Sequence, residues 1–207
     1  MDESSHSLHV IVLAAGSSSR LGQPKQLVKL GGRPVLHTVV SNAVAVAGHS
    51  VTVVLGAHAQ DLTRLLAHSP ASVVVNRHWE EGIAASLRYG LAAVPSTTTA
   101  VLVMLGDQVA VTADDLKRLV NSWKGQDTVI AASVYQGHVG VPAIFPQWCF
   151  TELRELRGDR GARVVLERHA QRLAHVQMPN AAIDLDTPED LAALTEQFKK
   201  KPGEAVH

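Results

Sequence analysis

Short runs of valine and leucine recur along the chain, each followed by a longer stretch of helical periodicity. The strand-length runs span 10–13, 51–55, 73–75 and 100–105, and the helical stretches that follow them span 35–47, 61–67 and 84–93. Runs this continuous carry no polar face, so such strands are covered on both sides, and the intervening segments are long enough for crossover helices. The pattern predicts an α/β protein built on β-α units, with a mainly parallel, doubly covered sheet. Beyond residue 105 it becomes less regular. Thr112 can cap a helix through the amide of Asp114 or Asp115, and strands follow near 129–134 and 141–145. Thr187-Pro188-Glu189-Asp190 then opens a last helix that runs to about Phe198.

A length of 207 residues fits a single domain with a core over about 8–198 and short tails. Lysine and arginine total 19, as do aspartate and glutamate, and this balance speaks against a nucleic-acid or membrane footprint, which needs clustered cations. Cys149 is the sole cysteine, so no intramolecular disulfide and no Cys-x-x-Cys zinc site can form. Flanked by Trp148 and Phe150, it reads as a packed thiol rather than a nucleophile. No run approaches the roughly 18 apolar residues of a membrane span, and the polar start lacks a signal core. A cytoplasmic, soluble protein is the expectation. The 11 histidines lack paired or H-E-x-x-H spacing, which removes the simplest metal reading.

Chemistry concentrates just after the first strand, in Leu13-Ala14-Ala15-Gly16-Ser17-Ser18-Ser19-Arg20-Leu21-Gly22-Gln23-Pro24-Lys25. Small residues let the backbone turn and present N–H groups to an anion, and Arg20 and Lys25 can neutralise what the amides do not. The spacing suits a triphosphate but is not a Walker loop. Lys25 does not directly follow the second glycine, Gln26 stands where a magnesium-binding Ser or Thr is needed, and no G-x-G-x-x-G is present. A second candidate lies at the end of 102–105, where Gly106-Asp107-Gln108 leaves a carboxylate at the sheet edge at which ligands of parallel sheets collect. Alone, Asp107 could be a turn former; beside a phosphate site it is a hard oxygen ligand for magnesium. Asp184 and Asp186 alternate onto one side of an extended segment, so both could reach one ion. Gly82 permits close approach to the backbone, and Ser86 offers a donor and an acceptor. Packing of Ala84, Ala85 and Gly90 against the sheet explains the same helix without a ligand.

The ordered pattern L-A-A-G-x-S-x-R-x-G-x-P-K resembles the signature loop of nucleotidyltransferases acting on molybdopterin and on sugar phosphates. The Ala-Ala-Gly and Pro-Lys-Gln-Leu forms are similar to the molybdenum-cofactor cytidylyltransferases. Guanylyltransferase relatives more often have Ala-Gly-Gly, so the resemblance favours CTP over GTP. It implies a three-layer Rossmann-like nucleotidyltransferase fold, and a nucleotide site formed by Leu13, Ala14, Ala15, Gly16, Ser17, Arg20, Lys25, Gly82 and Ser86. Magnesium would lie on Asp107 with Asp186 as first choice and Asp184 as second, and Arg20, Lys25 and Asp107 would carry catalysis. Gly137-His138 and Gly158-Asp159-Arg160-Gly161-Ala162-Arg163 match further family elements, which makes His138, Arg160 and Arg163 candidates for a molybdopterin-like phosphate acceptor. Val109 stands where the family has proline, and Val141 where it has histidine. A molybdoenzyme is the implied downstream partner. Rival readings are the same chemistry with GTP or a sugar phosphate, a non-catalytic carrier of the pterin cofactor, and an NAD(P)H-dependent oxidoreductase on the same fold.

Overall fold

The computed structural model describes residues 7–17, 21–183, 185 and 187–199. Its centre is a seven-stranded sheet of order β5-β4-β1-β6-β8-β7-β9. These strands are β1 (Leu8–Ala14), β4 (Val51–Leu55), β5 (Ser72–Val75), β6 (Ala100–Leu105), β7 (Ile130–Tyr135), β8 (His138–Pro146) and β9 (Leu173–Gln177). β2 (Lys29–Leu30) and β3 (Arg33–Pro34) pair separately. β1 runs parallel to both β4 and β6, β4 to β5, and β7 to β9, whereas β8 is antiparallel to its two neighbours.

Alternate residues of the central strands feed two apolar layers. Val10 and Val12 of β1 with Leu102 and Met104 of β6 face α1 (Val35–Ala47) and α4 (Ala113–Trp123), meeting Leu36, Val39, Leu116 and Leu119. Ile11, Val54 and Val103 point the other way, onto α3 (Ile83–Ala93), α5 (Phe150–Glu155) and α6 (Arg163–Arg168). This is the three-layer, mainly parallel α/β fold that the continuous valine runs predict. Each such side chain removed from water contributes roughly 1.5–3 kcal/mol before entropy is counted, so central strands of this kind fix the frame to which the loops are attached. Small residues let α3 approach closely: a Cβ on Gly90 would lie 2.5 Å from Ile11 Cγ2.

Helix starts follow their side-chain caps. At α4, Thr112 Oγ1 accepts from the Asp115 amide (3.1 Å), and the Asp115 carboxylate accepts from the Thr112 amide (2.9 Å). Thr187 and Asp190 repeat this box before α7 (Pro188–Lys199). The helix predicted over 61–67 forms as α2 (Ala59–Leu65), starting earlier because His58 adopts a left-handed conformation at φ 59° and reverses the chain. Cys149 is fully buried, and burial first, with Glu152 adding and Arg172 opposing, pushes its thiol up to about 12. It stays protonated and unreactive, as a packed thiol should.

Candidate functional site

The carboxyl ends of β1 and β6 open into a cavity of about 370 Å³. Its wall takes residues 13–17, Lys25, Gln26, Trp79, Glu80, Gly82, Ile83, Ser86, residues 105–107 and Asp159. Parallel neighbours leave both strand ends on the same edge, which is why residues far apart in sequence converge here.

The backbone after β1 is polarised. Every carbonyl from Leu13 to Gly16 is taken by the protein: Leu13 O by Gly106 N (2.8 Å), Ala15 O by Ala57 N (3.0 Å), and Ala14 O and Gly16 O by the Gln26 side-chain amide (3.4 and 3.1 Å). The N–H groups of Ala15, Gly16 and Ser17 have no acceptor among the described residues. Acceptors are consumed while donors are left over. Gly16 needs no glycine for its own packing, since a Cβ there would meet nothing within 4 Å. By contrast, a Cβ on Gly106 would lie 2.6 Å from that of Ala14, so the turn carrying Asp107 can press against β1 only without a side chain.

Lys25 Nζ donates to Asp107 Oδ2 across this gap, and both side chains are largely buried. The other carboxylate oxygen, Oδ1, is buried with no hydrogen-bond partner among the described residues. A buried carboxylate oxygen in that condition is costly for the fold and suits a hard cation. Among the described residues no group of three or more His, Cys, Asp or Glu side chains is arranged to hold a metal. Asp184 and Asp186, like Arg20, lie outside the described residues. Asn180 and Ala181 are tied to the elements that follow β6. Gln108, 1% exposed, donates to Val141 O (2.9 Å) and Ala181 O (3.5 Å) while accepting from the Leu105 amide, and Asn180 donates to Asp115 Oδ2 (2.7 Å). Burial alone would raise the Asp115 pKa, but the hydrogen bonds from Asn180 and Thr112 and the contact with Arg118 hold it below its ordinary value.

The opposite wall belongs to α3. Gly82 lines the cavity, and a turn requires its glycine whether or not a ligand is bound: its φ is 99°, and a Cβ would come within 2.4 Å of the Gly158 backbone. That turn is tied to the helix start by Ala84 N to Gly158 O (3.1 Å) and delivers Asp159 to the cavity. Ser86 is buried and accepts from Asn76 Nδ2 (3.1 Å), which leaves its own hydroxyl proton available. The three acceptor candidates are not brought into this cavity. His138 is exposed where β7 turns into β8, opposite Tyr135. Arg160 lines a separate hollow with Glu152 and Arg168, and Arg163 donates to Glu167 one helical turn on (2.9 Å). For Arg160 the physical cause is the bend at Gly158, φ 61°, beyond which Asp159 and Arg160 line different hollows; His138 lies on the β7–β8 hairpin and Arg163 on α6.

Gln26, Trp79, Glu80 and Asp159 join the cavity without having been singled out. Gln26 sits inside the Pro-Lys-Gln-Leu segment and Asp159 inside the Gly-Asp-Arg-Gly segment, so both lay within visible motifs; Trp79 and Glu80 have no such signal.

Residues 10–173 match the MobA-like NTP transferase domain. The chain belongs to that family. Nicotine blue oxidoreductase of Paenarthrobacter nicotinovorans is 32% identical over 165 residues, covering 76% of this chain and 80% of its own. Escherichia coli molybdenum cofactor cytidylyltransferase is 23% identical over 190 residues, 91% of this chain and 95% of its own. The crystal structure of Rv0371c from Mycobacterium tuberculosis superposes with a TM-score of 0.77 at 33% identity, covering 93% of this chain and all of that one. A manganese complex of the same protein aligns at 29% identity with a TM-score of 0.73 over 92% and 98% of the two chains. The family is one of nucleotidyltransferases, related to molybdenum-cofactor synthesis. No described helix is long and apolar enough to cross a membrane.

Proposed function

We propose that this chain transfers a cytidylyl group from CTP to a phosphorylated, molybdopterin-like acceptor and releases pyrophosphate. The observation that carries the reading is the donor-rich backbone after β1: three successive amides, at Ala15, Gly16 and Ser17, without acceptors among the described residues, beside Lys25. Such an arrangement attracts a polyanion and repels carbonyl-rich or cationic ligands. The acceptor phosphate oxygen attacks the α-phosphorus, forming one P–O bond as the bond to the β-phosphate bridge breaks, and the electron pair leaves on pyrophosphate. A phosphate monoester has a second pKa of about 6, so the nucleophile is already largely ionised at neutral pH and requires no side-chain base.

The protein's part is alignment and charge neutralisation. The loop amides, Lys25 and Arg20 take the β- and γ-phosphates. Asp107, whose Oδ1 has no partner among the described residues and fits a hard cation, would hold magnesium with Asp186 or Asp184, and the ion would supply further neutralisation of the phosphates. Trp79 offers a flat apolar surface, Ser86 a hydroxyl donor for a ring nitrogen or carbonyl of the base, and Glu80 and Asp159 acceptors for the exocyclic amino group of the base or the N–H groups of the pterin. Ala15 favours CTP over GTP by the resemblance already described. The acceptor places the enzyme upstream of a molybdoenzyme, in a reducing cytoplasm.

The test is incubation of purified protein with each nucleoside triphosphate, magnesium or manganese, and molybdopterin. Pyrophosphate release with CTP and formation of a cytidylylated pterin support the reading, and their absence with every triphosphate and acceptor pair defeats it. An oxidoreductase is the second reading, favoured by the 32% identity to nicotine blue oxidoreductase. Oxidation of NADPH in the presence of nicotine blue, with no pyrophosphate release, would establish it instead.

A further inference from the structure

Gln26 occupies an unusual place for a side chain next to a cation. It is 2% exposed, and its single amide nitrogen bridges two carbonyls of the neighbouring loop, Ala14 O at 3.4 Å and Gly16 O at 3.1 Å. In a trans peptide the C=O and the following N–H point in opposite directions. Drawing those two oxygens toward Gln26 therefore turns the N–H groups of Ala15 and Ser17 away from it, and these are among the amides that have no acceptor among the described residues. The carbonyl between them, Ala15 O, is held from a third side by Ala57 N, so the loop cannot simply rotate a peptide to recover a partner. Lys25 on the same 3-10 turn reaches Asp107. One short turn thus holds the loop backbone with one side chain and the Asp107 carboxylate with the next.

We infer that Gln26 is a positioning residue for a polyphosphate: its side-chain amide sequesters the loop carbonyls so that the loop presents donors alone. The bland alternative is a buried glutamine that satisfies itself on whatever carbonyls are near. The two differ in what the loop does when the side chain changes. Without the bridge, Ala14 O and Gly16 O become free to face the same space as the amides, and a phosphate then meets lone pairs as well as donors. The inference rests on the triphosphate reading of the cavity and says which part of the ligand Gln26 serves: the phosphates, not the base.

The experiment compares wild type with Gln26→Glu, which keeps the shape but sets a carboxylate against the two carbonyls, and Gln26→Met, which keeps the length without either charge or donor. Dissociation constants are measured by calorimetry for inorganic tripolyphosphate, CTP and CMP. Loss of charge-assisted hydrogen bonds predicts tripolyphosphate and CTP affinities lower by roughly tenfold or more in Gln26→Glu, less in Gln26→Met, with CMP changed by under about threefold. In turnover the loss falls on KM for CTP more than on kcat. Equal weakening of CMP and tripolyphosphate by both variants would mean a merely structural glutamine and overturn the inference. If the variants do not fold, amide spectra of isotopically labelled wild type decide. Tripolyphosphate should shift the Ala15, Gly16 and Ser17 amides, and the Gln26 side-chain protons should exchange slowly with solvent. Fast exchange at Gln26 sinks the idea, as do unshifted loop amides in a protein that does bind tripolyphosphate. Failure of wild type to bind tripolyphosphate or CTP at all is a different result, and it removes the triphosphate reading itself.

Discussion

Lys25 and Asp107 neutralise each other across the cavity, and the pairing ranks the two by what their loss should cost. Asp107→Ala removes the buried Oδ1, which has no partner among the described residues, along with the oxygen that Lys25 contacts. Losing the buried contact with Lys25 destabilises, while removing an oxygen without a hydrogen-bond partner relieves a cost, so the net stability change should stay below about 3 kcal/mol, while turnover falls at least about 100-fold, the usual cost of deleting an electrostatic stabiliser. Wild-type turnover by a folded Asp107→Ala protein would refute the metal role. Lys25→Ala should weaken CTP more than CMP, because the ammonium is assigned to phosphates beyond the first. Titrating both nucleotides calorimetrically checks this, and equal losses would take Lys25 off the phosphates. At this scale the sequence was most readable: Lys25, Asp107 and residues 13–17 were all visible in it and do meet in one cavity. What it could not convey was which atoms are already spoken for. The glycine at 82 looked like an opening for a ligand, and only the packing shows the Gly158 turn occupying that side.

Two helices carry the same reciprocal box, and their settings predict different responses to losing it. Thr112 caps α4, whose Leu116 and Leu119 are fully buried; Thr187 caps α7, whose described buried side chain is Leu194. Thr112→Ala should cost about 1 kcal/mol and lower Tm by about 2–4 °C in a chain of this length. Thr187→Ala should instead speed amide exchange within α7 with little change in global Tm, since an element with so little described buried apolar surface opens below the global free energy. Thermal melts with hydrogen exchange on both variants distinguish the cases, and identical effects would show α7 to be as integral as α4. Elements of the first half were legible because each strand is a continuous apolar run. The direction of β8 was not, since the strand pattern is the same either way. Its reversal comes from the tight turn at Gln136 and Gly137, whose φ values of 50° and 75° join β7 to β8 as a hairpin. Gln-Gly is a weaker hairpin signal than Asn-Gly. β9 and the short α5 and α6 also went unread: β9 is mostly half-exposed and lacks an apolar run, and six-residue helices span too few turns to show a period.

Across the whole molecule, acidity should act through a histidine at the end of the sheet remote from the cavity. His9 is 6% exposed, its Nε2 shares a 2.8 Å hydrogen bond with Thr52 Oγ1, and burial lowers its pKa from the ordinary 6.5. The folded state therefore favours neutral His9. That contribution is complete above pH 6.5 and is lost as pH falls from 6.5 toward the depressed folded value, because the unfolded chain takes up the proton first. His9→Gln should show a shallower decline of Tm between about pH 6.5 and 5 than wild type. Parallel melting curves for the two proteins over that interval would show that His9 is not the group responsible.

The cavity has one more consequence, for the order in which the molecule comes into being. Its wall joins residues 13–17 to Asp107 and Asp159, and Gln108 ties the Asp107 turn onward to Ala181. Nothing near the N-terminus can hold a polyanion in this way until most of the chain has left the ribosome, for contacts of such long sequence separation are the last to repay their loop closure. Nucleotide should then be unable to rescue a chain truncated before Asp159, and should act only once both ends of the cavity wall have come together, as a reporter of assembly and not of local folding.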